Sequence, residues 1–308
     1  METKIGEQRA LELEAQLSME LAEERAWSRK ESAFGALARV TSLFQRPREE
    51  DFELVYSELR YEPIWHVACK AHVVYDRQQE YQVPVKGPEV KGVTIEGIDY
   101  DLEGGRLRIP AVENCAEEMH SEVYFDGVSG QQMPALARYL KFPAAAIPDA
   151  ELNSFAPEGA IVLGTSVTAS AIVRQVLAGM SRQIQASEVL DEGIEVQAVD
   201  LYFRPIYAFL FRWVTKGRTG IVECDALTTE VSAGGKTHEG YTSEPLDPAA
   251  LFDVRSDEVA QIIPGGRVFI APSLGPEEEE APEEGDEGIQ ADEGEPERDE
   301  TTGVAGES

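Results

Sequence analysis

Four histidines and three cysteines carry most of the metal- and nucleophile-capable chemistry of this chain. Five of the seven cluster: His66-x2-Cys69-x2-His72 in one stretch, and Cys115-x4-His120 in another. Thiolate and imidazole are the ligands zinc prefers, in a tetrahedron. Spacing limits what the first cluster can do. On an extended strand His66 and His72 share one face and Cys69 takes the other, and the two imidazoles lie ~20 Å apart at ~3.3 Å per residue. A metal centre therefore needs the two stretches to pair, with Cys115, His120 and His66 as the candidate ligands for zinc. The same region offers a thiol-based alternative, Cys115 with His120 as base. Against both stands the ordinary fate of these residues, a buried cysteine and a histidine on a sheet face.

Other motifs carry less. Ala233-Gly-Gly-Lys-Thr237 resembles the end of a phosphate-binding loop, but Glu230 stands where that pattern needs its first glycine. The next residues, His238-Glu-Gly-Tyr, make no helix start, so a glycine turn is the expectation. No Gly-x-Ser-x-Gly elbow is present, and Gly164-Thr-Ser166 reads as a helix start. Among 58 acidic residues no pair of carboxylates stands out as a general acid and base.

The elements that must position these residues are read from periodicity. Ala10, Leu13, Leu17 and Leu21 predict a helix over 8–26, and Trp27, Phe34, Leu37, Val40 and Phe44 extend the stripe to Pro47. This 1–46 segment reads as an N-terminal helical arm, able to cap a core or to join a partner or a second copy as a coiled coil. From Asp51 the period becomes two. Strands are expected at 52–61, 64–75, 80–85, 93–96, 97–102, 106–109 and 120–125, with turns at 76–79 and 103–105. Pro84 marks an edge. Short helices are expected near 133–140 and 149–153. In the second half, 167–180 has a helical apolar stripe, followed by strands at 193–203, 206–214 and 220–225 with a turn at 215–218. The alternating aromatics Tyr202, Phe203, Tyr207, Phe209, Phe211 and Trp213 read as core and cross-strand pairs.

Self-similarity is the most informative pattern. Glu58-Leu-Arg-Tyr-Glu-Pro-Ile-Trp65 matches Asp200-Leu-Tyr-Phe-Arg-Pro-Ile-Tyr207, with three identities and three further exchanges within the acidic or aromatic class. Each copy leads to a turn-forming segment, Phe125-Asp-Gly-Val-Ser-Gly130 and Cys224-Asp-Ala-Leu-Thr-Thr229. A helix, a curved hairpin and a strand ending in Asp-Ala/Gly-x-Thr/Ser-Gly resembles the PepSY and cystatin-like group of bacterial chains, with Thr229 where that motif has glycine. The resemblance covers about a third of the chain, fits 166–232 better than the first copy, and implies an α+β sheet with a binding or regulatory role on a partner. It carries over no catalytic residues.

Charge bounds the partners. Against 58 acids stand 27 bases, a formal charge of −31, which excludes nucleic acid and anionic membrane as default ligands. Glu277–Ser308 holds fifteen acids and one base, Arg298, with almost no apolar residue, and reads as a disordered acidic tail. No run of ~18 apolar residues suggests a membrane span, and the N-terminus shows no apolar leader core. Three cysteines make no disulfide framework, which points to the cytoplasm. The expectation is an α+β protein: the helical arm, a first β-rich unit at 51–145, a second helix-plus-sheet unit at 146–274 related to it by the repeat, and the tail at 275–308. Its function is read as a non-enzymatic binding or scaffold protein acting on a protein partner. The alternatives are a metal- or thiol-dependent enzyme at Cys115 and His120, and acidic mimicry of nucleic acid toward a basic protein.

Overall fold

A computed structural model describes residues 2–35, 47–157, 159–180, 184–241, 243, 245–255 and 259. The chain is mixed α and β, mostly one large sheet with few helices. The strands are β1 (Glu2–Ile5), β2 (Gln8–Leu13), β3 (Phe52–Pro84), β4 (Gly92–Ile95), β5 (Ile98–Glu103), β6 (Arg106–Asp126), β7 (Ala144–Ile147), β8 (Ala160–Val162), β9 (Glu188–Trp213), β10 (Arg218–Asp225) and β11 (Val231–Ala233). The helices are α1 (Met19–Arg29), α2 (Asp149–Leu152), α3 (Ala169–Met180) and α4 (Pro248–Leu251), with short 3-10 turns at Lys30–Phe34 and Pro134–Tyr139.

Three strands dominate: β3 with 33 residues, β9 with 26 and β6 with 21. The sheet order is β11-β10-β9-β3-β6-β5-β4, so strands from both expected β-rich units belong to one sheet. They join along β3 and β9, which pair antiparallel from Phe52↔Trp213 to Asp76↔Glu188. Burial explains this. Each strand carries a run of large apolar residues on one face, and side by side they build one surface for the helices. Trp65, Val67, Cys69, Leu201 and Phe203 pack with Ile172, Val173 and Leu177 of α3. Phe52, Tyr207, Phe209, Phe211 and Trp213 pack with Leu17, Ala22 and Ala26.

The N-terminal segment departs from the expected arm. Gln8–Leu13 is a strand paired parallel with β9, and the helix begins only at Met19. Ser18 caps it, its Oγ accepting from Leu21 N at 3.4 Å. The apolar stripe read as one helix therefore spans a strand, a cap and a helix. Leu21 is 52% exposed, whereas Ala22 and Ala26 face the sheet. With its apolar side in the core, α1 is not free to act as a coiled-coil arm. Leu37, Val40 and Phe44 lie outside the described residues, as does the expected acidic tail.

Two further expectations change. Asp76–Gln79, expected as a turn, lies inside β3, because it pairs with Ala111–Asn114 of β6. The expected strands at 193–203 and 206–214 are one strand. Pro63 and Pro205 interrupt neither β3 nor β9, for a reason visible in the flanking pairs. On β3, β8 pairs up to Tyr61 and β6 begins at Ile64, so Pro63 falls between two flanking strands. On β9, β2 pairs up to Phe203 and β10 begins at Ile206, which leaves Pro205 in the matching gap. A residue without N–H is tolerated where no ladder bond is required. The Gly104-Gly105 turn and the Val214–Gly217 turn form as read, with positive φ at Gly104, Gly105 and Gly217.

Candidate functional site

Alternation puts the aromatic core on one face of β3 and β9 and a line of charge on the other. Glu58, Arg60, Glu62 and His66 of β3 stand opposite Ala208, Ile206, Arg204 and Asp200 of β9. Glu62 lies directly across from Arg204 and is ion-paired with it. Arg60 is buried and meets three carboxylates: Glu62 Oε1 at 2.8 Å, Glu58 Oε1 at 3.3 Å and Glu223 Oε1 at 2.6 Å. Arg204 donates to Tyr139 Oη at 2.7 Å, and that hydroxyl donates to Asp225 Oδ2 at 2.6 Å. Burial alone would raise the Glu62 pKa, but the Arg204 and Arg60 charges outweigh it and hold the carboxyl below its ordinary range.

The glycine-rich segment 234–241 closes over this cluster. Arg60 Nη1 donates to Lys236 O at 2.8 Å, Lys236 N donates to Glu223 Oε1 at 3.2 Å and His238 N donates to Glu58 Oε2 at 2.8 Å. Amides that a phosphate-binding loop would turn toward phosphate thus donate to the protein's own carboxylates. Gly235 has φ +95°, and a Cβ there would lie 1.9 Å from Glu223 Oε1, so the glycine serves that contact.

A second polar chain on the same face is buried at its centre and exposed at both ends. Arg9 Nε contacts Asp200 Oδ1 at 2.9 Å, Asp200 Oδ2 contacts His66 Nδ1 at 3.3 Å, and His66 Nε2 contacts Glu122 Oε1 at 3.0 Å. Tyr124 donates to the same Glu122 oxygen at 2.6 Å and stacks on the imidazole, centroids 5.2 Å apart. Asp200 is only 2% exposed. Burial pushes its pKa up, but hydrogen bonds from His66 and Arg9 prevail and keep it low. Both ring nitrogens of His66 are turned to carboxylates, Asp200 and Glu122, and not toward Cys115 or His120.

The candidate ligands do not converge. The two stretches pair, His66↔Tyr124, Lys70↔His120 and Tyr75↔Cys115. Cross-strand partners share a face, so His120 lies on the His66 face, four residues and ~13 Å along the strand. Cys115 faces the opposite way, beside Tyr75. No group of three or more His, Cys, Asp or Glu that could hold a metal exists among the described residues. The proposed zinc site and the Cys115–His120 dyad therefore lose their geometric basis. Burial pushes the Cys69 thiol up to about 12 and raises that of Cys224, away from nucleophilic use. Sequence reading passed over Glu58, Arg60, Glu62, Asp200 and Arg204. Their signal was charge at alternate positions of otherwise apolar strands, inside the two matching octapeptides.

One stretch of strand edge has no partner strand among the described residues, the outer edge of β6 beyond Leu107. Asp126 N donates outward to Gln131 O, and Met133 N donates to Tyr124 O. Gly127 N donates inward to Pro63 O. Even-numbered residues of β6 therefore turn their N–H and C=O away from β3. The pairing with β3 runs from Ile64↔Asp126 to Pro84↔Arg106 without a shift, so that parity holds along the whole strand. Pro110 sits at an outward position, where its missing N–H costs no ladder bond.

No family model, no curated protein and no solved structure matches this chain.

Proposed function

We propose that the chain is a cytosolic, non-enzymatic binding protein that holds a protein partner on its sheet. The observation that carries this reading is the contrast between its polar groups and its backbone. The buried charges are paired among themselves, whereas a long run of β6 backbone has no partner among the described residues. Sheet edges of this kind receive added strands. Free thiols at Cys69, Cys115 and Cys224 suit a reducing compartment, and no described helix is long and apolar enough to cross a membrane.

The scaffold is read as two β-α-β-β units related by a two-fold through Glu62 and Arg204, which are matching positions of the two octapeptides. Several pairs of contacts support this. Ala10 of β2 pairs with Leu201, and Ala160 of β8 with Leu59. Gly127 N donates to Pro63 O at 2.8 Å, and Ala226 N to Pro205 O at 3.2 Å. Ser166 N donates to Gly127 O at 2.8 Å, and Gln16 N to Ala226 O at 2.9 Å. The two turns share their bonds as well: Gly130 N to Asp126 O and Thr229 N to Asp225 O, both 2.8 Å. β4 and β5 are then an insertion in the first unit, and the likeness to the PepSY and cystatin-like group belongs to this reading.

Immobilised full-length chain incubated with lysate tests the function, with the heat-unfolded chain as control. Specific retention of a protein by the native chain alone is the expected result. Equal retention on both, or none on either, sinks the reading.

A further inference from the structure

We propose that the outer edge of β6 between Val112 and Glu122 takes an extended basic segment of the partner as an added strand; this rests on the binding reading above. Val112, Asn114, Ala116, Glu118, His120 and Glu122 each turn a backbone donor and acceptor outward, by the parity fixed at Tyr124 and Asp126. Pro110 ends the run on one side, and the bond from Met133 N to Tyr124 O ends it on the other. Main-chain bonds supply register-independent affinity, and side chains supply choice.

The choice is set by charge. Glu113, Glu117, Glu118 and Glu122 lie in this run, with no Lys or Arg between them. Glu113 and Glu117 point to the core face, where Glu113 is ion-paired with Arg77 and Glu117 accepts from Tyr75 Oη; Glu118 and Glu122 point to the other, where Glu118 is ion-paired with Lys70 and Glu122 meets His66, so the run sets four acids against two bases of β3. A strand laid along this edge brings its side chains within ~5 Å of them. The intervals of four, one and four residues read the same in both directions, so a parallel or an antiparallel strand with lysines at those intervals meets all four. Between them lie Cys115, Ala116 and Met119, which suit small or apolar partners.

A second copy fits poorly. Antiparallel self-pairing centred on Cys115 sets Glu113 against Glu117, and centring on His120 sets Glu118 against Glu122. Like charges directly opposite destabilise a pair, and the chain carries −31 overall. The carboxylates thus leave the edge open while discouraging self-association.

The probe is a labelled peptide, Lys-Val-Thr-Val-Lys-Lys-Val-Thr-Val-Lys, titrated into the full-length chain by fluorescence anisotropy. Saturable binding is expected, weakening more than about 10-fold between 0.05 and 0.5 M salt. Methylating alternate peptide nitrogens, on the side that faces β6, should weaken binding about 10-fold or more, and exchanging Lys for Glu should abolish it. Ala116→Pro removes one outward donor without touching the β3 ladder and should weaken binding about 10-fold, with an unchanged melting temperature. The methylated peptide decides the matter even if that variant folds poorly. Binding that tolerates methylation, no binding at about 1 mM peptide, or a dimer of the free chain that Ala116→Pro dissociates would each overturn the edge assignment. Lysate capture that persists in Ala116→Pro, beside a peptide that does not bind, removes the edge and leaves the binding reading standing.

Discussion

Two turn residues show how little room single positions have. Thr229 and Gly130 both occupy the left-handed region, at φ 61° and 69°. Glycine adopts that conformation freely, whereas a β-branched residue is strained there, at a cost of ~1–3 kcal/mol. Thr229→Gly should therefore raise stability by about 1 kcal/mol after the extra chain entropy of glycine is subtracted, read as a shift of the urea midpoint. Gly127 shows the opposite constraint. A Cβ there would lie 2.7 Å from Pro63 Cβ and 2.9 Å from Pro63 O. At the turn after β10, Ala226 N makes a longer bond, 3.2 Å, to Pro205 O. Gly127→Ala should cost ~1–3 kcal/mol by overpacking, measurable in the same urea titration; a neutral result would mean the turn moves away from Pro63 without cost.

At the scale of elements, the distance of α1 from the sheet is set by alanine. Ala22 and Ala26, one turn apart, are fully buried against β9 and β10 with Phe209, Phe211 and Val222. Small residues at i and i+4 let the helix axis come close, and Trp27 then reaches Phe211 edge-on, centroids 5.2 Å apart. Ala22→Leu should destabilise by ~1–3 kcal/mol, while Leu21→Ala, at an exposed position, should stay within ~0.5 kcal/mol. Thermal melts of both variants check the contrast. Equal effects would mean the helix buries a different face.

For the whole molecule, the central charges set the response to acid. Glu62 and Asp200 have folded pKa values held below the ordinary carboxylate range. The unfolded chain therefore binds protons first as pH falls. The stability these groups contribute is complete above about pH 4.5 and is lost as pH drops through the ordinary range toward their lowered values. Urea midpoints should be flat from pH 7 to about 5 and fall below that. Arg60→Met leaves Glu58, with 2% of its side chain exposed, without its cation. That change should cost ~3–5 kcal/mol at pH 7 and less in acid, because Glu62, whose proton affinity Arg60 helps to lower, then takes up its proton more readily. A cost independent of pH would assign Arg60 a packing role alone.

The mixed class, the positions of most strands and turns and the α3 helix were legible in the sequence. Those follow from local periodicity and turn chemistry, which need only neighbours in the chain. Alternation alone already separated Cys69 from His66 and His72. Whether Cys115 and His120 joined His66 depended on the register of β3 on β6, and that register puts Cys115 on the far face. The helix expected over 8–26 misled because apolar spacing cannot see that Gln8–Leu13 has a strand waiting in β9. The joining of two expected sheets along Glu62 and Arg204, the closure of a phosphate-like loop on Glu58 and Glu223, and the open edge of β6 were settled only by tertiary structure. Each depends on which backbone groups find partners far away in sequence, and pairing at long range leaves no local mark.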